Sequence, residues 1–219
     1  DGDYLKDIYR LTRSESRVST QALGEFLQVK PASVTGKLQK LSRQDPTPII
    51  YHKHHGASLT ATGERSALRI IRRHRLLELF LVKFLGYSWE SVHCEADELE
   101  HVISQEFEDR LARLLNQPEF DPHGDPIPGP DLELAQTPDL SLEQVAPGEY
   151  CVVCRVDSCQ GEILVYLGAL GILPGARLRV LEHNPLDQTT RLAIGEAGAE
   201  AVLGKRLLEA IYIEAQQPA

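Results

Sequence analysis

The chain has 219 residues, 42% of them hydrophobic, and 23 Lys+Arg against 32 Asp+Glu give a formal net charge of −9; that length allows two or three small domains with their own cores. No apolar run approaches the ~20 residues of a membrane span and nothing at the start reads as a secretion signal, so a cytoplasmic protein with no membrane partner is expected. The charge is uneven: residues 1–75 carry 14 Lys+Arg and 7 Asp+Glu, and residues 76–219 carry 9 and 25, as expected for a phosphate-binding module on an acidic body. The sequence holds no Met, so residues ahead of Asp1 are expected.

Tyr4, Leu5, Ile8, Tyr9 and Leu11 recur at helical intervals and predict a first helix over 3–12. Ser19 is placed to cap a second helix through Leu27. After a short turn, Pro31 opens a third helix through Ser42, with Val34, Leu38 and Leu41 as its buried face. That leaves Lys30, Pro31, Ala32, Ser33, Thr35, Gly36, Lys37 and Lys40 facing outward. Small residues at the amino end let such a helix enter the major groove deeply, while lysines meet phosphate. Ile49–His52 and Ala57–Thr60 read as two strands of a wing with Lys53 near its tip. Three helices followed by a wing predict a winged helix-turn-helix that binds double-stranded DNA.

Thr60 to Glu64 caps a long amphipathic helix reaching Leu85. Its apolar residues are too many for one intramolecular face, so a symmetric homodimer is expected. His74 and Glu78 stand four apart on that helix. Downstream, His93, Asp97, Glu100 and His101 share one helical face beside an apolar seam of Val92, Ala96, Leu99, Val102 and Ile103. Two helices can thus face each other across a cation. Imidazoles and carboxylates without an obligatory thiolate suit Mn²⁺ or Fe²⁺ better than a structural Zn²⁺; the competing reading is a solvated charged face.

A further helix is expected over 109–115, then a loop and linker rich in Pro, Gly and acid over 116–140. Short β-like runs at 149–156, 176–182, 190–194 and 208–214, with a helical turn at 163–168, predict a small five- or six-stranded barrel. Cys151 and Cys154 have a metal or redox spacing, but on a strand they point to opposite faces, and reduced structural thiols are expected. The chain lacks His-Glu-x-x-His, Gly-x-Ser-x-Gly and a phosphate-binding glycine loop, which argues against a metal-dependent hydrolase and for a protein that is not an enzyme.

Five signatures carry a resemblance: Asp3-Tyr4-Leu5-x-x-Ile8-Tyr9, Leu59-Thr60-x-Thr62-Gly63, Arg73-His74-Arg75-Leu76-x-Glu78, Glu100-His101, and His123-Gly124-Asp125-Pro126-Ile127-Pro128. Through them the chain resembles the diphtheria toxin repressor family of metal-dependent transcriptional regulators, nearer its manganese-sensing branch. Leu167 to Gly175 looks like the SH3-like, FeoA-type domain of the longer members. The resemblance implies a mainly α, multi-domain fold: a winged helix-turn-helix over 1–62, a helical metal-binding and dimerisation domain over 63–130, a linker over 131–140, and a small SH3-like β-barrel over 141–219. It implies a primary metal site of Asp3, His74, Asp97, Glu100 and His101. At the Asp3 and Asp97 positions iron-sensing members typically carry Met and Cys, so two carboxylates point to Mn²⁺, with Fe²⁺ as the alternative. An ancillary site would hold Glu78 with Asp121, His123 and Asp157, or, in the iron-type alternative, His93 and Gln160. Lys6 departs from the short manganese regulators, which have a carboxylate there. The function implied is a repressor of metal-transport genes that binds operator DNA as a dimer when metal is bound.

Overall fold

The computed structural model describes residues 2–12, 16–53, 55–157 and 161–216. The chain divides into two compact units, Asp1–Arg73 with Pro128–Glu133, and His74–Ile127 with Leu134–Ala219. Among the described residues no helix is long and apolar enough to cross a membrane.

The first unit begins with α1 (Gly2–Leu11), α2 (Thr20–Phe26) and α3 (Pro31–Leu41). The Ser19 hydroxyl accepts the Ala22 amide N–H at 3.0 Å and starts α2 as expected. Pro31 at the first position of α3 supplies a preset φ where no N–H is needed. Leu5, Ile8, Leu23, Val34, Leu38 and Leu41 are buried together with Ile49 and Ala57 of the wing. The wing is an antiparallel hairpin of β1 (Ile49–His52) and β2 (Gly56–Leu59), in register from Ile49↔Leu59 to His52↔Gly56. Val18 adds an isolated bridge to Ala57, so the wing is also tied to the start of α2.

α4 (Ala61–Leu85) spans 25 residues, and the boundary between the units falls inside it. The Thr60 hydroxyl caps it by accepting from the Gly63 amide at 3.2 Å. In the second unit Leu76, Leu77 and Leu81 of α4 pack with Val92 and Ala96 of α5 (Val92–Leu99) and with Leu111 and Ala112 of α6 (Gln105–Leu114). At roughly 1.5–3 kcal/mol for each fully buried large aliphatic side chain, this core fixes the α4 and α5 faces against each other. Two expectations change here. α6 starts four residues early because the Ser104 hydroxyl accepts the Phe107 amide at 3.2 Å, and Val102 leaves the expected seam, 75% exposed, because α5 has already ended.

The rest of the second unit is a five-stranded antiparallel sheet in the order β6-β5-β4-β3-β7. Its strands are β3 (Tyr150–Val156), β4 (Arg177–Asn184), β5 (Thr189–Ile194), β6 (Ala199–Gly204) and β7 (Ile211–Gln216), with α7 (Gly161–Ala169) and α8 (Lys205–Ala210) in the connections. Alternate residues Cys151, Val153, Leu178, Val180, Leu192, Ile194, Ala201 and Leu203 line one core with α7. β6 is not among the expected strands, because its small residues carry little β signal. The last strand, expected from 208, starts at Ile211, because α8 occupies Lys205–Ala210. β6 and β7 occupy opposite ends of the sheet order and nothing pairs them among the described residues, so the expected barrel is not closed. Cys151 is buried and Cys154 partly so, both as free thiols, and burial pushes the Cys151 thiol up to about 11.

Candidate metal centre

His74 and Glu78 stand one turn apart on α4, both 2% exposed, and face His93 and Asp97 of α5. His74 Nδ1 lies 2.6 Å from Glu100 Oε2 and 3.3 Å from Asp97 Oδ1. Its Nε2 lies 3.0 Å from Glu78 Oε1 and 2.9 Å from His93 Nδ1. His93 Nδ1 also lies 3.1 Å from Glu78 Oε1, and its Nε2 lies 3.5 Å from Asp97 Oδ2. Glu100 follows the last residue of α5 and still turns its carboxylate inward. His101 is next in line, with Nε2 3.5 Å from Glu100 Oε1 and its side chain 43% exposed.

The second side of Glu78 meets the loop after α6. Glu78 Oε2 lies 3.9 Å from His123 Nδ1, and His123 Nδ1 lies 4.0 Å from Asp121 Oδ1. Asp121 shapes that loop from within: its Oδ1 accepts the amides of His123 at 2.8 Å and Asp125 at 3.0 Å. His123 is oriented by its Nε2, 2.7 Å from the Trp89 carbonyl, and by stacking near the indole at 5.4 Å.

Within the second unit, three donor groups therefore have their ligand atoms within 4.8 Å of one another: His74, Asp97 and Glu100; Glu78, Asp121 and His123; and His74, Glu78 and His93. Burial alone would lower His74, but the Glu78 charge and hydrogen bonds to Asp97, Glu100 and Glu78 outweigh it and raise its pKa to about 10. Burial acts to raise Glu78, and the charge and hydrogen bond of His74 reverse this and hold the carboxyl well below the usual range. Burial, with Glu78 and Asp125 nearby, pushes Asp121 up to about 7 against the pull of Arg75 and His123. Buried carboxylates converging on imidazoles, with a proton held at the crossing point, are the chemistry a divalent cation fits.

Of the residues expected to bind metal, the structure brings together His74, Glu78, His93, Asp97, Glu100, Asp121 and His123. Asp157 is half-exposed and pairs with Arg155 at 3.3 Å instead. Gln160 lies outside the described residues. Asp3 is exposed in the first turn of α1, in the other unit. Arg75, Asp125 and Arg155, which form a chain of ion pairs around Asp121, were not singled out by the sequence analysis. The signal available was the two acids of Asp121-Pro122-His123-Gly124-Asp125 and the Arg155-x-Asp157 spacing at the end of a strand.

Comparison with known proteins bears on all of this. Residues 2–57 match the description "Iron dependent repressor, N-terminal DNA binding domain", residues 60–129 "Iron dependent repressor, metal binding and dimerisation domain", and residues 140–215 "FeoA domain". The chain is 32% identical over 194 residues to the iron-dependent repressor IdeR of Mycobacterium leprae, covering 83% of each chain. It is 33% identical over 120 residues to the transcriptional regulator MntR of Lysinibacillus sphaericus, covering 55% of this chain and 84% of that one. The chain belongs to the diphtheria toxin repressor family of metal-dependent transcriptional regulators. A solved structure described as a manganese-dependent transcriptional repressor in complex with manganese superposes on this family member with a TM-score of 0.89 at 35% identity, covering 98% of this chain and 99% of that one.

As expected of the family, the first unit carries a helix-turn-helix. Val34 and Leu38 of α3 are buried, while Lys30, Pro31, Ala32, Ser33, Gly36 and Lys40 are exposed, as is Lys53 beside the wing. Two residues are less free than the sequence suggested. The Thr35 hydroxyl donates to the Pro31 carbonyl at 3.0 Å, and Lys37 Nζ lies 5.4 Å from the centre of the Tyr4 ring.

Proposed function

We propose that this family member is a Mn²⁺-responsive repressor that binds operator DNA as a homodimer in the cytoplasm, controls metal-transport genes, and is not an enzyme. The observation that carries the metal assignment is the make-up of the buried donor groups. Every member is an imidazole or a carboxylate, and Cys94, on the same helix as His93 and Asp97, stays exposed and outside them. Hard oxygen donors favour Mn²⁺ over softer competitors, although raw affinity alone favours the later transition metals. A bound divalent cation supplies positive charge among the buried carboxylates where the metal-free protein uses a proton on His74.

Asp97, Glu100 and His74 form the core of the primary site, to which the family resemblance adds His101 and Asp3. Glu78, Asp121 and His123 form the ancillary site, to which it adds Asp157; His93 and Gln160 are the iron-type alternative, and the approach of His93 to Glu78 supports keeping it. The domain limits follow as 1–62, 63–130 with linker 131–140, and 141–219, the last as an SH3-like domain. Phe84, Leu85, Phe107 and Leu114 stay 45–58% exposed, which supports a dimer face on α4 and α6. Lys30, Pro31, Ala32, Ser33, Thr35, Gly36, Lys37, Lys40 and Lys53 form the DNA face.

Fe²⁺ in the same site is the second reading, supported by the likeness to IdeR. The test is fluorescence anisotropy of DNA from upstream of metal-transport genes, with chelated protein titrated at fixed salt with Mn²⁺ or, without oxygen, Fe²⁺. Specific binding at lower free Mn²⁺ than Fe²⁺ is expected. The reverse order would make this an iron sensor, and metal-independent binding would overturn the regulatory reading.

A further inference from the structure

A line of alternating charges runs from the C-terminal sheet to the loop that carries Asp121 and His123. It begins at Arg155 on β3, 5% exposed, whose guanidinium lies 3.7 Å from the centre of the Tyr212 ring on β7. Arg155 Nη1 is 3.5 Å from Asp125 Oδ1 and 3.3 Å from Asp157 Oδ2. Asp125 Oδ1 is in turn 3.3 Å from Arg75 Nη2, and Arg75 Nε is 3.5 Å from Asp121 Oδ2. The backbone runs alongside, the Val156 amide donating to the His123 carbonyl at 2.9 Å. Among the described residues, Arg155 Nε is buried with no hydrogen-bond partner. A buried guanidinium with an unmet donor is poorly explained by its own contribution to stability. Its geometry is explained by what it holds, namely Asp125, and through Asp125 the Arg75 side chain that lies against Asp121.

We propose that Arg155 is a positioning residue for the group Glu78, Asp121 and His123, through which the C-terminal sheet sets that group's affinity for a divalent cation. The proposal rests on reading that group as the ancillary metal site. Arg155 cannot itself bind a cation; it keeps Asp125 in place, so that Arg75 stays between Asp125 and Asp121. Asp121 then keeps one oxygen on two loop amides while the other is held beside Arg75. Outer-shell partners of this kind typically change metal affinity by about 10–100-fold.

The test uses the full chain, stripped of metal and titrated with Mn²⁺ alone, with free Mn²⁺ followed by its electron paramagnetic resonance signal. Wild type is expected to bind two ions per chain. Arg155→Gln is expected to weaken one of them by roughly 10–100-fold and leave the other within about twofold, while Arg155→Lys, which keeps the charge, recovers part of the loss. Asp125→Asn should reproduce the loss, and the double variant should add nothing further, because both changes break one contact; this pair keeps the test open if Arg155→Gln does not fold. A purely structural role would lower the melting temperature without moving either affinity, and that result overturns the proposal. So does tighter Mn²⁺ binding in Arg155→Gln, which would mean that Arg155 withholds Asp157 from the site. A wild type that binds one ion overturns the ancillary reading together with this proposal. Two ions in wild type and unchanged affinities in both variants overturn the role of Arg155 alone.

Discussion

Gly124→Ala tests whether the loop that carries Asp121 and His123 is locked onto the C-terminal sheet. Gly124 has φ +83°, and a Cβ there would lie 1.9 Å from the Cys154 carbonyl oxygen and 2.9 Å from the Arg155 Cα. The obstacle is backbone on a central strand, so no rotamer change relieves it. Restoring contact distance requires the loop and β3 to part by more than about 1 Å, which takes the 2.9 Å Val156 to His123 hydrogen bond beyond bonding range. Placing Ala in the left-handed region costs about 1–2 kcal/mol, and a lost backbone hydrogen bond adds about 0.5–1.5 kcal/mol. A local loss of about 1.5–3.5 kcal/mol corresponds to roughly 10–300-fold faster exchange of the Val156 amide, at ~1.4 kcal/mol per factor of ten. Hydrogen exchange followed by NMR on the metal-free chain measures this directly, and Mn²⁺ titration of the same sample should show weakening of the ion assigned to Glu78, Asp121 and His123. Unchanged protection at Val156 would refute the reasoning, because a Cβ at Gly124 and the Val156 to His123 bond cannot both fit against the β3 backbone.

The same geometry sets the pH dependence of the protein and the effect of three substitutions. The His74 pKa is raised above its unfolded value, so its contribution to stability is full below about pH 6.5 and fades as pH rises toward about 10. Mn²⁺ binding must displace that proton, so affinity should rise between pH 6.5 and 8, and an unbuffered titration that releases no protons would contradict this. Glu100→Ala, at a site 1% exposed, should abolish metal-stimulated DNA binding while helical circular dichroism of the metal-free chain persists; retained stimulation would remove Glu100 from the primary site. Lys40→Ala should lower DNA affinity similarly on specific and scrambled duplexes and reduce the salt slope by about 0.9, checked by anisotropy at several salt concentrations. Leu114→Glu, at a position 58% exposed, should shift sedimentation from dimer to monomer, and an undisturbed dimer would move the interface elsewhere.

The elements legible in the sequence are those whose local signals agree with their tertiary use. α3 is an example: Pro31 starts it, and Val34, Leu38 and Leu41 fall on the buried face that the 3.6-residue period assigns. The His74 and Glu78 pair was legible for the same reason, since helix periodicity alone puts both on one face. Period carried too far also produced the error at Val102: the stripe from His93 to His101 was read as one helix, whereas α5 stops at Leu99. Glu100 nonetheless turns inward, its carboxylate 2.6 Å from His74 Nδ1. β6 was missed because an edge strand of small residues needs only one partner and one buried face. The role of Arg155 is not legible for a deeper reason. Its spacing to Asp157 shows only a pair at a strand end; its other partners lie 30 residues upstream on the loop and 57 residues downstream on β7, and no local pattern encodes a contact made only when a sheet docks on a loop. The proposed metal ligands could be read from spacing along helices, whereas the residues packed around them depend on tertiary structure; the proposed coupling between sheet and metal site must therefore be measured by paired substitutions rather than inferred from motif.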